Sequence, residues 1–261
     1  MTFPDWSITV VATLQMGWRV DRERCYLMDN SNCWDDVELV LMAGVDRLVL
    51  YGPSGTGKTY AGLNAGDVSR GAFRLVCTED MTTFDILGGM LPNERGGFDF
   101  HEGAALLAWR AGARLVIDEG NLASGDVLSL LLAMTDTRES ASVRLPSGEV
   151  VKPADGFSVV LTCNLDDPDD LAPALRDRFP VAIKVDKPAP AGVASLPADV
   201  RPLALGMVGH HDESQRASLR SLQTFATLKA ELGNEDAARL VFGLAKAPAV
   251  IQALTINEVI S

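Results

Sequence analysis

The stretch Leu48-Val-Leu-Tyr-Gly-Pro-Ser-Gly-Thr-Gly-Lys-Thr59 runs an apolar strand straight into a G-x-x-x-x-G-K-[ST] loop. Glycines in this pattern let successive backbone N–H groups turn inward around a phosphate chain, where residues bearing a Cβ would obstruct the turn. Gly52, Gly55 and Gly57 supply that freedom, with Pro53, Ser54 and Thr56 between them. Lys58 is placed to neutralise the β- and γ-phosphates and Thr59 to offer its hydroxyl to Mg²⁺. The helix that follows points its positive end at the anion. A nucleoside triphosphate with Mg²⁺ is the expected ligand. A Gly-rich turn that matches by chance would lack the strand before the loop and the partner motifs after it.

Downstream, Leu115-Val-Ile-Asp-Glu119 is a short apolar run ending in two acids, as expected of a central parallel strand whose C-terminal tip faces a site. Asp118 is assigned to the metal shell and Glu119 to the attacking water, which it would orient and deprotonate. Alone, the pair reads equally well as a solvated acidic turn; with the loop upstream it completes a hydrolytic site. Thr162-Cys-Asn164 closes the next strand, and the Asn164 carboxamide is placed to bridge the γ-phosphate and the water. By itself a strand-terminal Asn is a turn former. Then Arg176-Asp-Arg178 follows a short helix. A permanently charged, bidentate guanidinium donated to a neighbour's γ-phosphate aids phosphoryl transfer. The plainer reading of Arg176 and Arg178 is pairing with Asp177 or the acidic run 166–170.

The rest of the chain alternates strand and helix patterns up to about residue 185. A helix is expected over 37–45, another after the phosphate loop, a strand over 73–77, helices over 104–109 and 122–134, a hairpin within 141–157 around Pro146-Ser-Gly148, and a strand over 157–162. Lys187-Pro-Ala-Pro-Ala-Gly192 reads as a linker, and residues from about 195 onward as wholly helical, in short segments separated by Gly and Pro. The pattern predicts an α/β fold: a three-layer, parallel-sheet P-loop NTPase domain over 1–187, with an N-terminal extension 1–46, followed by a small helical lid over 188–261.

As a set, these marks resemble the AAA+ ATPases, and within them the MoxR-like, dynein-related group. The shared residues are 52–59, Leu115 to Ala123, Asn164, Pro173 to Phe179, and Ser218-Leu-Arg220. The resemblance implies that Asn164 is the sensor 1 residue, that Arg178, with Arg176 as a second candidate, is an arginine finger acting in trans, and that Arg220 is the sensor 2 arginine reaching from the lid to the nucleotide. It further implies ATP as the nucleotide, a ring oligomer, hexameric in form, that remodels or matures a protein client, and a partner carrying a von Willebrand factor A domain. Residues 88–103 correspond to the group's insert in its second helix and 143–151 to its pre-sensor hairpin. Gly120 departs from the group, which more often has an aliphatic residue there, and the tail is short. Phe98-Asp-Phe-His101 in the insert is a candidate gripping loop, or aromatics folded back on their own domain. His210-His211 resembles a metal cluster only superficially, since adjacent side chains on a regular element diverge.

Composition narrows the rivals. With 261 residues, 47% of them hydrophobic, the chain can bury a substantial core. A formal net charge of -12 disfavours nucleic acid as the main partner. Cys25, Cys33, Cys77 and Cys163 show no C-x-x-C spacing, so neither a disulfide framework nor a zinc site is expected. The first residues carry no basic n-region and no apolar h-region, and no apolar run of spanning length is evident, so a cytoplasmic location is expected. Three other readings remain beside the ring ATPase: an ATP-binding switch or scaffold with negligible turnover, a motor subunit of a nucleic-acid-processing complex, and, more weakly, a small-molecule kinase.

Overall fold

The computed structural model describes residues 32–260, so Trp6, Trp18 and Cys25 lie outside the described residues. Helix α1 (Cys33–Met42) leads into β1 (Arg47–Tyr51), the phosphate loop and α2 (Lys58–Asn64). Next come β2 (Ala72–Val76), α3 (Thr83–Leu87), the antiparallel pair β3 (Gly88–Pro92) and β4 (Phe98–Glu102), α4 (Ala104–Ala111) and β5 (Arg114–Asp118). Helix α5 (Gly125–Met134) precedes the short hairpin β6 (Val143–Arg144) and β7 (Val150–Val151), then β8 (Ser158–Thr162), α6 (Pro173–Arg178) and β9 (Val181–Lys184). Helices α7 (Pro190–Ala194), α8 (Arg201–Met207), α9 (Leu219–Leu232) and α10 (Asn234–Ile260) complete the chain.

Five strands form one parallel sheet in the order β2-β5-β8-β1-β9. Successive strand residues point to opposite faces, and here each face has its own core. Val49, Leu75, Leu115, Ile117, Val159 and Leu161 pack with residues of α3, α4 and α5, among them the fully buried Trp109. Leu48, Leu50 and Val160 face the other way, against α1, Ala61 of α2 and the C-terminal helices. Burial on both faces explains why the central strands read as unbroken apolar runs. The expected three-layer parallel α/β fold with a helical C-terminal segment is what forms.

Four local expectations change. The stretch 122–134 is helical only from Gly125; Gly120–Leu122 is a 3-10 turn, and the helix buries Val127, Leu131 and Met134 while its other face meets solvent. The proline-rich 187–192 is no loose linker. Ala189 N–H donates to the Thr56 carbonyl at 2.8 Å and the Trp34 indole donates to the Lys187 carbonyl at 2.9 Å, so the segment is tied to the phosphate loop and to α1. Helical structure then resumes at Pro190, whose fixed φ suits the first turn. Finally, Asn234–Thr255 has the length and apolarity of a membrane-spanning helix, with a mean hydropathy of 1.3, contrary to the sequence reading. Gly243, at φ 75° and ψ 168°, breaks it into two shorter pieces. Ala237, Ala238, Ala247, Val250 and Leu254 are buried in the core beside α9.

Arg114 holds the far end of α2, the helix that follows the phosphate loop. Only 5% exposed at the start of β5, its guanidinium donates to the carbonyls of Gly62 at 3.1 Å, Ala65, and Asp67 at 3.2 Å, the unsatisfied groups at the C-terminal end of α2. Arg114→Met removes these bonds and leaves the buried Gly62 carbonyl without its guanidinium partner, so it is expected to lower unfolding free energy by roughly 3 kcal/mol in chemical denaturation.

Candidate active site

Parallel strands place their C-terminal tips on one edge, and β1, β5 and β8 are neighbours there. β1 delivers the loop 52–59, β5 delivers Asp118 and Glu119, and β8 delivers Thr162 to Asn164. Lys58 opens α2 with its Nζ folded back over the loop. It donates to the carbonyls of Gly52 at 2.8 Å and Pro53 at 2.7 Å, and to Asn164 Oδ1 at 3.0 Å. The other end of the Asn164 carboxamide donates to Glu119 Oε1. Lysine, asparagine and glutamate are therefore linked in one hydrogen-bonded chain across three elements.

Glu119 is the only non-glycine residue with positive φ among the described residues, at φ 56° and ψ 40°. A left-handed glutamate carries a conformational cost, tolerated where the surroundings hold it. Here the turn redirects the chain sharply after Asp118 and leaves the Glu119 carboxylate beside Asn164. Gly120 shares the constraint: a Cβ there would fall 2.8 Å from Leu161 side-chain atoms. Close packing on β8 accounts for the glycine where an aliphatic residue was expected.

Asp118 is nearly buried and accepts at both oxygens. Thr59 Oγ1 at 2.8 Å and Thr162 Oγ1 donate to Oδ1, and the Arg74 guanidinium, through Nε at 3.1 Å and a terminal nitrogen, donates to Oδ2. Burial alone would raise its pKa. The hydrogen bonds from Thr162, Arg74 and Thr59, with the charge of Arg74, hold it below the usual carboxylate range. Burial dominates at the thiols beside the site, pushing Cys77 and Cys163 each up to about 11, at Cys163 against a backbone hydrogen bond from Leu165 and the charge of Lys58. The same desolvation drops Lys58 to about 8, against the pull of neighbouring acids.

The outer side of the loop is covered by the C-terminal helices. Leu219 N–H donates to the Gly55 carbonyl at 3.0 Å, and a Cβ at Gly55 would fall 2.2 Å from the Ser218 Cβ. At Gly57 a Cβ would fall 2.6 Å from that of Ala189. Both glycines have positive φ, 77° and 112°. They are required by the packing behind the loop as well as by its turn.

The donors present fit Mg²⁺ held partly by phosphate. Thr59 and Asp118 are hard oxygen ligands side by side, and no group of three or more His, Cys, Asp or Glu side chains suited to a metal occurs among the described residues. An ion that keeps several waters and takes its remaining ligands from a bound phosphate suits such a sparse set. Thr59 donates its proton to Asp118, which leaves its lone pairs free for a cation.

The three arginines lie apart from this cluster. Arg178 is bound within its own chain, to the carbonyls of Leu132 at 3.1 Å and Ala174 at 3.2 Å and to Asp136 at 3.2 Å, with Asp177 at 3.8 Å. Arg176 pairs with Asp169 on the surface and is half exposed. Arg220, exposed, is the second residue of α9, one position beyond the contact of Leu219 with the loop. In the insert, β4 carries both aromatics: Phe100 packs on the core while Phe98 is exposed. His210 and His211 sit in a loop, where their rings stack at 4.4 Å rather than diverge as they would on a regular element.

Sequence reasoning assigned no site role to Arg74, Trp34 or Ala189, and none to Thr162 or Ser218 although it named both. Arg74 carried a signal, being a charge in mid-strand two residues before the strand's end. The others needed the tertiary contacts.

A model of the AAA domain, dynein-related subfamily, matches residues 47–179, just over half of the chain. The chain belongs to this AAA family. Among solved structures, NtrX from Brucella abortus superimposes with a TM-score of 0.53 at 15% identity, covering 80% of this chain and 52% of that one. Its complex with ADP gives 0.51 at 14%, covering 77% and 50%. A provisionally assigned ATPase of Cytophaga hutchinsonii aligns at 21% identity over 60% of this chain and 47% of that one, with a TM-score of 0.43. The AAA chain thus spans about half the length of these proteins, and the NtrX superpositions bear on its fold alone.

Buried Lys58 makes stability depend on pH. Its pKa falls from 10.5 unfolded to about 8 folded, so the unfolded state binds more protons between those values and stability rises with pH through that window. The two thiols act oppositely from pH 9 to about 11. Cys77 cancels when wild type is compared with Lys58→Met. The pull of Lys58 on Cys163 is lost in the variant, so that thiol costs the variant more above pH 9 and reinforces the same trend. The unfolding free energy of wild type minus that of Lys58→Met is expected to climb as pH is raised from about 8 towards 10.5. A difference that does not vary with pH would refute the desolvation of this amine.

Proposed function

We propose that this AAA chain hydrolyses ATP with Mg²⁺ in a ring of identical subunits and uses the cycle to remodel or mature a protein client. The observation that carries the reading is the chain Lys58–Asn164–Glu119, which joins the phosphate-binding lysine to a carboxylate poised for water. Glu119 orients the water and takes its proton, and Asn164 fixes that carboxylate while reporting on Lys58. Thr59 and Asp118 would hold Mg²⁺, which when bound would neutralise charge developing on the phosphates. The short contact between α9 and the phosphate loop supports a lid that responds to the nucleotide, with Arg220 as its reaching cation. Because neither Arg176 nor Arg178 is bonded to the loop of its own chain among the described residues, the structure is consistent with a finger supplied in trans. A hexameric ring, a partner with a von Willebrand factor A domain and a cytoplasmic location extend the same reading from the resemblance, and the acidic charge balance supports a protein rather than nucleic-acid client.

Glu119→Gln keeps the side-chain shape and removes the base. It is expected to bind ATP with near wild-type affinity and to lose about a hundredfold or more in steady-state turnover; near-normal turnover would sink the assignment.

Completion of sites between subunits is tested by mixing. Arg178→Ala and Arg176→Ala are each combined with Lys58→Ala, and ATPase activity is followed against mixing ratio. The finger variant is inactive alone and regains turnover in the mixture, because the Lys58→Ala chain still offers its arginine to the variant's intact phosphate loop. No regain with either arginine would count against donation in trans.

A further inference from the structure

Arg74 lies on the outermost strand of the sheet, β2, in register with Val116, while Val76 is opposite Asp118. Residues two apart share a face. The face carrying Val116 and Asp118 is the one α2 packs on, since a Cβ at Gly62 of α2 would meet Val116 at 3.0 Å and Val160 at 3.3 Å. Arg74 therefore runs along the sheet beneath the phosphate-loop helix and ends on Asp118 Oδ2, with Nε at 3.1 Å. Oδ1 is already shared by Thr59 and Thr162. A carboxylate has about four lone-pair positions, and four donor groups occupy them.

We propose that Arg74 is a positioning residue that competes with the metal shell for Asp118 and so sets the Mg²⁺ concentration at which the site loads. The inference rests on the ATPase reading above. A metal-bound water can reach Asp118 only by displacing one of its donors. Thr59 and Thr162 are short side chains on α2 and β8, fixed by the backbone. Arg74 is long, with a side chain 49% exposed, and can swing into water at little cost. It is also a cation beside the acid, so it opposes a divalent ion there until it moves. A purely structural pin between β2 and β5 is not needed, because the two strands already pair from Ala72–Arg114 to Val76–Asp118.

The test is binding of a fluorescent ATP analogue to the full chain, titrated with Mg²⁺, for wild type, Arg74→Gln and Arg74→Lys. Arg74→Gln, which removes the charge, is expected to lower the half-saturating Mg²⁺ roughly fivefold. Arg74→Lys, which keeps the charge and loses the two-donor grip, should fall between that value and wild type. Arg74→Met serves in place of Gln if melting curves show that Gln disturbs the strand. A half-saturating Mg²⁺ that is unchanged or higher without the charge would overturn the competition. Wild-type binding with no Mg²⁺ dependence would overturn it together with the ATPase reading, which separates the two failures.

Discussion

Asp118 is a carboxylate taken almost wholly out of water at the tip of a central strand, and the site is organised around satisfying it. Its donors come from α2, β8 and β2, so the phosphate-loop helix and two flanking strands are tied to β5 at one point. An unpaired buried carboxylate would cost several kcal/mol or else take up a proton. With Thr162, Arg74 and Thr59 donating, it stays ionised, as a group that must attract a cation requires. One electrostatic need thus fixes both the architecture of the sheet edge and the chemistry possible there.

The loop that meets the phosphates is constrained from behind. Gly55 and Gly57 leave no room for a Cβ because Ser218 and Ala189 occupy that space, and two backbone hydrogen bonds, from Leu219 and Ala189, end on loop carbonyls. The two carbonyls are those of Gly55 and Thr56, respectively. Any ligand that reshapes the loop must therefore move α7 and the start of α9, or strain against them. A path from phosphate contact to helix movement is built into two hydrogen bonds and two methyl-sized gaps.

Much of this was legible in the residue order. The glycine spacing, Lys58, Thr59, the Asp118-Glu119 pair and Asn164 are local patterns at strand ends, and alternating apolar runs located the strands that carry them. What the sequence hid depends on register and distance. Arg74 becomes a neighbour of Asp118 only once β2 is known to flank β5, and Thr162 only once β8 is placed on the other side. The proline-rich 187–192 looked like a linker because proline and alanine carry no packing signature of their own; Ala189 is buried because a neighbouring glycine makes room for its methyl. The tail was expected to be helical in short segments separated by Gly and Pro, and Gly243 breaks it as such a residue would; what stayed hidden is that the segment 234–255 is otherwise long and apolar enough to cross a membrane.

Lys58 exposes the tension on which such a site runs. Its amine is buried and held by two loop carbonyls and Asn164, an environment that drops its pKa towards 8 and makes the charge costly. The cost falls when an anion takes the place of the neutral acceptors, because opposite charge favours the ammonium where carbonyl dipoles only partly do. On the proposed ATPase reading, Asn164 is the acceptor that links this exchange to Glu119. If Lys58 turns from its Oδ1 towards a phosphate, the carboxamide keeps its bond to Glu119 but loses its anchor on the other side. The carboxylate is then free to adjust towards a water. Binding energy gained at the lysine would in this way be coupled, through one amide, to the position of the Glu119 carboxylate.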